Sequence, residues 1–198
     1  MRLLLFASIT MLLTLSSLTF AGDYVSADQA IKQPAVIPAP VQAYLAKEIA
    51  SGFAECKAQA ADIRLAFEAK IVDLNSSVQA LVVKPRSRCF CSSDACPMWV
   101  FAAAPAPDPK VAKLIFESPM AGLLSFSDRK TRGYPDIKVS GGLLSHGYEV
   151  RYVWDGAEYQ EIYNQVWVWN AERECNEAEI EELKDGKWIK TSNECLKI

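Results

Sequence analysis

The chain has 198 residues and a formal charge of −3, with 21 Lys and Arg against 24 Asp and Glu. Mild acidity without a Lys/Arg cluster speaks against nucleic acid or an anionic membrane surface as a partner. One His, six Cys and no P-loop or dinucleotide fingerprint leave little basis for zinc or nucleotide chemistry.

Arg2 is the only charge before Asp23, and an apolar run from Leu3 to Leu13 follows it, diluted by Ser and Thr as far as Phe20. With Thr19-Phe20-Ala21 ahead of Gly22, residues 1–21 read as a cleavable secretory signal. A retained membrane anchor is the alternative, but Thr10, Thr14, Ser16, Ser17 and Thr19 interrupt a stretch that must supply about 20 apolar residues. Past Ala21 no stretch is apolar enough to span a bilayer, and the expected location is periplasmic or extracellular. Loss of Arg2 with the signal takes the charge from −3 to −4.

The six cysteines, Cys56, Cys89, Cys91, Cys96, Cys175 and Cys195, all follow the signal. An even number in an exported chain reads as three disulfides, with fifteen connectivities possible. Cys175 and Cys195 bracket the C-terminal segment with no other cysteine near, which favours their pairing. Cys89, Cys91 and Cys96 lie close enough to suggest thiolate ligands, but a closed zinc site needs four and an oxidising compartment favours disulfides.

Residues 22–39 form a lead-in broken by Pro34 and Pro38, expected to be extended or disordered. Pro40 suits the first turn of a helix. Val41, Leu45, Ile49, Phe53 and Cys56 then recur at helical spacing and form one apolar stripe. After Ala61 the period becomes two. Phe67, Ala69 and Ile71 alternate with Glu68 and Lys70, and Asp73-Leu74-Asn75-Ser76-Ser77 reads as a turn. Val78 to Lys84, Met98 to Ala103 and, after an Ala/Pro turn, Val111 to Glu117 complete four strand candidates. The plan repeats with Leu123 to Phe126, Ile137 to Val139, Tyr148 to Trp154 and Tyr159 to Trp169, with Asp155-Gly156 as a hairpin signal. Ile180 to Leu183 and Trp188 to Thr191 flank Asp185-Gly186 as a last hairpin; a helix over 171–183 competes, because Glu and Ala are good helix formers.

These elements predict an α+β fold, mainly antiparallel β. An N-terminal helix packs on two four-stranded meanders, followed by a C-terminal hairpin, with residues 40–198 as one disulfide-linked domain. Each meander has the size of a propeller blade, but propellers close with about 4–8 blades. Two meanders must instead pack on each other or form one sheet.

Asp73-Leu74-Asn75 before a strand, and Asp128 opening a stretch whose Gly133 and Asp136 precede another, resemble the Asp-x-Asn-x-Asp-Gly loops of FG-GAP or VCBS repeats. The chain is also similar, over about Pro38 to Gln160, to secreted bacterial proteins with a Pro-rich helix ending in Cys, such a loop, and a Cys-x4-Cys-Pro segment before an aromatic strand. Cys91 to Val100 takes that last role. The resemblance implies the pairings Cys91–Cys96 and Cys56–Cys89, and a calcium-type loop in each repeat. A calcium loop wants alternating oxygen ligands, yet Lys130 and Arg132 stand at two ligand positions and Val78 replaces an acid in the first loop. Both loops therefore read as degenerate, with no metal or other cofactor, and Lys130 and Arg132 are expected to pair with Asp128 and Asp136.

His146 lies in a Gly-rich turn without a Gly-x-Ser-x-Gly elbow, and three disulfides leave no thiol for nucleophilic work. Glu177, Glu179, Glu181 and Glu182 read as a solvated face, with a basic partner as the sharper alternative. In Tyr159 to Trp169, Tyr163, Trp167 and Trp169 share one face while Ile162, Val166 and Val168 share the other. Burial of both faces is the expected outcome; exposure of Tyr163, Trp167 and Trp169 would make them a candidate binding face. The function these features suggest is an exported, non-catalytic binding protein, of the inhibitor or immunity type, with an unknown protein partner. A carboxylate-dependent envelope hydrolase and a structural or assembly factor of the envelope are the alternatives.

Overall fold

The computed structural model describes residues 24–58, 60–102 and 112–196. The signal read at 1–21 and the Ala/Pro turn after Ala102 lie outside these residues. The fold is mainly antiparallel β in two sheets, with little helix.

Helix α1 (Ala39–Gly52) starts after Pro38, with Pro40 in its first turn, where a missing N–H leaves no partner unmet. Val41, Leu45 and Ile49 form its buried stripe. Gly52 is its last residue, so Phe53 and Cys56 of the expected stripe lie beyond it, Cys56 in a 3-10 turn, Ala54–Cys56. A short helix α2 (Ile63–Ala66) is capped by Asp62, whose carboxylate accepts from the Arg64 N–H.

Strands β2 (Phe67–Asp73), β3 (Gln79–Pro85), β4 (Cys96–Ala102) and β5 (Lys113–Ala121) form a four-stranded antiparallel meander. Its two central strands are apolar at successive positions because both faces are covered. Val82, Met98 and Val100 face one buried cluster; Leu81, Val83, Trp99 and Phe101 join a second that contains Val41, Leu45 and Ile49.

The second sheet has seven strands. β1 (Tyr24–Ser26), β6 (Leu123–Thr131), β7 (Tyr134–Leu143), β8 (His146–Trp154), β9 (Tyr159–Asn170), β10 (Cys175–Lys184) and β11 (Lys187–Leu196) follow one another in that order. Leu124, Phe126, Ile137, Val139, Trp154 and Tyr159 pack against Val72, Val82, Val100 and Phe116 of the first sheet. The two meanders thus pack face to face.

The fold settles or refines several expectations. The lead-in is ordered over its described part: β1 pairs with the edge of β6, and the Ala35 N–H donates to the Ala69 carbonyl at 2.8 Å. The C-terminal hairpin forms as expected and also extends the larger sheet, because β10 pairs with β9 from Cys175↔Asn170 to Glu182↔Tyr163. The competing helix over 171–183 does not form: 171–174 is a turn and β10 starts at Cys175, where ladder partners on both sides outweigh helix propensity. Finally, the stretch from Asp128 to Asp136 is a strand hairpin rather than a metal loop. β6 continues to Thr131, and Arg132 and Gly133, at φ 52° and 84°, make the two-residue turn.

Three disulfides join Cys56 to Cys89, Cys91 to Cys96 and Cys175 to Cys195, with Cα separations of 5.8, 4.2 and 5.5 Å. They match the pairing read from position and the two implied by the resemblance. No helix among the described residues is long and apolar enough to cross a membrane.

Candidate functional site

Strand pairing puts Tyr163, Gln165, Trp167 and Trp169 on the face of the seven-stranded sheet that points away from the other sheet. Tyr163 is opposite Arg151, Gln165 opposite Glu149 and Trp167 opposite Gly147, whereas the alternating Tyr148 and Tyr152 pack toward the core. A bulge at Ile162 sets this register, since Tyr152 pairs with Glu161 but Arg151 with Tyr163. Expected burial of both faces of β9 is not what the fold provides. Trp169 is 39% exposed, and Val166 and Val168 on the opposite face are 48% and 56% exposed. The reason is that Trp169 points away from the four-stranded layer, and β9, buried under that layer at Tyr159, runs past its edge before Val166 and Val168.

Trp167 rests where its neighbours carry a methyl group or no side chain. Its cross-strand neighbours are Gly147 and Ala178, and a Cβ on Gly147 would overlap the indole ring. Trp167 also lines a polar recess with Arg88, Asp94, Ser140 and Gly142, in which the Gly142 N–H donates to the Asp94 carboxylate at 2.8 Å.

Beside Tyr163 the chemistry is ionic. The Arg151 guanidinium lies 4.2 Å from the centre of the Tyr163 ring and donates to Glu149 at 2.7 Å; Lys138 reaches the same carboxylate at 3.5 Å. Cation–π stacking of this kind holds both groups in place on the sheet surface. The Tyr163 hydroxyl donates to Gln165 at 2.7 Å, and burial lifts its pKa above the usual tyrosine value although Arg151 opposes the rise. An open groove of about 650 Å³ runs from these residues past Arg129, Asp136 and Glu182. Cations and acids alternate along it, a surface suited to a folded partner with its own charge pattern.

The residues read as calcium-type are dispersed into local roles. Asn75 accepts from the N–H groups of Ser77 and Val78 at 2.9 Å, capping its turn, and Asp73 accepts from Gln79. Asp136 accepts from Thr131 at 2.7 Å and pairs with Arg129 at 3.3 Å. The cation on Asp136 is therefore Arg129, not the expected Lys130 or Arg132; Arg132 donates instead to the Asp155 carbonyl. Asp128 lies at the bulged part of β6, on the rim of the groove. Among the described residues no group of three or more His, Cys, Asp or Glu is arranged to hold a metal. His146 opens β8 with its Nδ1 3.2 Å from the Ser145 hydroxyl.

Sequence reasoning identified the aromatics but missed their ionic surroundings. Alternation in Tyr148 to Trp154 already puts Glu149 and Arg151 opposite the tyrosines; only the bulge decides that Arg151 meets Tyr163. Comparison with known families, curated proteins and solved structures finds no match to this chain.

Proposed function

We propose that the chain is an exported, non-catalytic binding protein that engages a protein partner through the outer face of its seven-stranded sheet, in the manner of an inhibitor or immunity factor for a secreted enzyme. The observation that supports this most is the open row of Tyr163, Trp167 and Trp169 beside the Arg151–Glu149–Lys138 network. Trp, Tyr and Arg dominate the binding energy of protein interfaces, and here they lie on rigid strands rather than loops. Export is supported by the signal pattern of residues 1–21 and by three disulfides, which persist in oxidising compartments.

The test uses the mature, disulfide-intact protein as immobilised bait against an envelope extract of its source organism. Wild type is expected to retain a defined protein that Trp169→Ala and Arg151→Ala baits lose. Equal retention by all three, or retention of nothing, would remove this face from consideration.

A further inference from the structure

The inner face of the seven-stranded sheet is only partly covered. Along the row Val139, Val150, Asn164 and Glu181, Val139 of β7 is buried, Val150 of β8 half-buried, and β9 and β10 carry polar groups. The rows beside it run through Tyr148, Val166 and Glu179, and through Leu143, His146, Val168 and Glu177. Tyr148 donates to the Met120 carbonyl at 2.9 Å, where the end of β5 meets the larger sheet. Beyond that contact β9, β10 and β11 project without a second layer among the described residues.

The uncovered part has an apolar floor and an acidic wall. Val166, Val168 and Leu143 are each about half exposed, and Leu144 at the adjoining turn is 99% exposed. Asn164, Val166, Val168, Glu177, Glu179 and Glu181 line a groove of about 550 Å³. Arg173 neutralises part of Glu177, and Lys190 pairs with Glu179, each at 2.9 or 2.8 Å. Glu161 and Glu181 on the same face add two further acids, so the wall keeps a net negative charge. Burial, with Glu181 adding to it, raises the Glu161 carboxyl above the usual range.

We infer that this groove receives a basic amphipathic helix of another protein, its apolar stripe on Val166 and Val168 and its lysines or arginines toward Glu179 and Glu181. The inference is independent of the outer-face reading. Charge complementarity selects a cationic occupant. Half-exposed Val166, Val168 and Leu143, on a sheet face whose Val139, Ile137 and Leu124 are buried under the first sheet, ask for a packed layer. The same chain shows how a helix fills that role, because α1 lays Val41, Leu45 and Ile49 on Leu81, Val83 and Trp99 of the first sheet.

The probe is a fluorescent peptide of about 18 residues with leucines at helical spacing and lysines elsewhere, compared with an isomer of scrambled pattern. At about 0.15 M ionic strength, the patterned peptide is expected to bind at least about tenfold more tightly than its isomer. Glu179→Gln/Glu181→Gln and Val166→Ser/Val168→Ser variants should each weaken it by about tenfold, while Trp169→Ala leaves it unchanged. Circular dichroism and sedimentation of each variant check fold and mass. Equal affinity for the two peptides, no binding, or insensitivity to both double variants overturns the inference. So does a dimer of the protein alone that Val166→Ser/Val168→Ser dissociates, since the occupant would then be a second copy.

Discussion

Glu68 and Lys84 face each other across β2 and β3, the ammonium 2.8 Å from the carboxylate and each side chain only 3% exposed. Lys84 also donates to the Ala27 carbonyl, and Glu68 accepts from the Ile31 N–H at 3.2 Å. The pair thus fastens the segment after β1 onto the first sheet. Removing Glu68 strands the Lys84 charge in the interior, at a cost of about 3–5 kcal/mol, and removing Lys84 leaves Glu68 only the half-exposed Arg86, 3.8 Å away. Lys84→Met and Glu68→Gln should each lower stability by that order in urea titrations with the disulfides intact, whereas Glu68→Leu/Lys84→Met should recover most of the loss. A double variant as unstable as the singles added together would show that the two residues act separately.

Trp167 and Gly147 are coupled in the same direct way. A methyl group on Gly147 would overlap the indole, so Gly147→Ala is expected to displace Trp167 and cost about 1–3 kcal/mol through overpacking. Trp167→Ala should relieve part of that cost and leave the remainder, because the same Cβ would also stand 2.8 Å from the Gly141 carbonyl oxygen. A double-mutant cycle measures the coupling, and additivity would mean that the ring has room to move.

Gly133 offers a cleaner backbone test. It holds φ 84° in the β6–β7 turn with nothing within 4 Å of where its Cβ would stand. Gly133→Ala should therefore cost about 1–2 kcal/mol from left-handed backbone alone, read as a lower melting temperature. An unchanged melting temperature would mean that the turn adopts another conformation.

That hairpin also shows where the sequence stopped being legible. Ten strands were visible from alternation, and Asp155-Gly156 and Asp185-Gly186 marked their turns correctly because such pairs accept positive φ. Arg132-Gly133 carries a similar signal, but the calcium-loop likeness of Asp128, Gly133 and Asp136 drew the reading away from it. β2 hid a different fact. Phe67, Ala69 and Ile71 looked like its buried face, yet Val72 and Glu68 on the other side are buried too, and Ile71 is exposed. A strand covered on both faces loses its alternation, and no local pattern reports that its charged residue pairs with Lys84, sixteen positions on. The binding surfaces were legible as composition only. Which aromatics remain in water depends on where the first sheet ends, which is a tertiary fact.

The disulfides should rank by the chain they close. Cys56–Cys89 spans 33 residues, Cys175–Cys195 spans 20 and Cys91–Cys96 spans 5. Loop-closure entropy assigns them roughly 4, 3 and 2 kcal/mol. Paired Cys→Ser variants measured by urea unfolding should follow that order. Loss of Cys175–Cys195 should in addition speed amide exchange in β11, because among the described strands it is an edge paired with β10 alone. Global exchange without a local excess would mean that the bridge supports the whole fold.

Glu161 gives the fold a defined response to pH. Its carboxyl is raised from 4.5, first by burial and further by Glu181, against the opposing hydrogen bond from Asn164. The unfolded chain therefore gives up this proton at lower pH than the folded one. Between the two pKa values the folded state binds more protons, so its stability falls as pH rises through that window. Below it, the contribution is fully present. Glu161→Gln removes the titration while keeping the amide able to meet Asn164, so the variant should match the wild type near pH 4 and exceed it at pH 7. Urea midpoints across that range check the sign. A variant equally stable relative to wild type at both ends would show that Glu161 ionises in the folded protein as freely as in water.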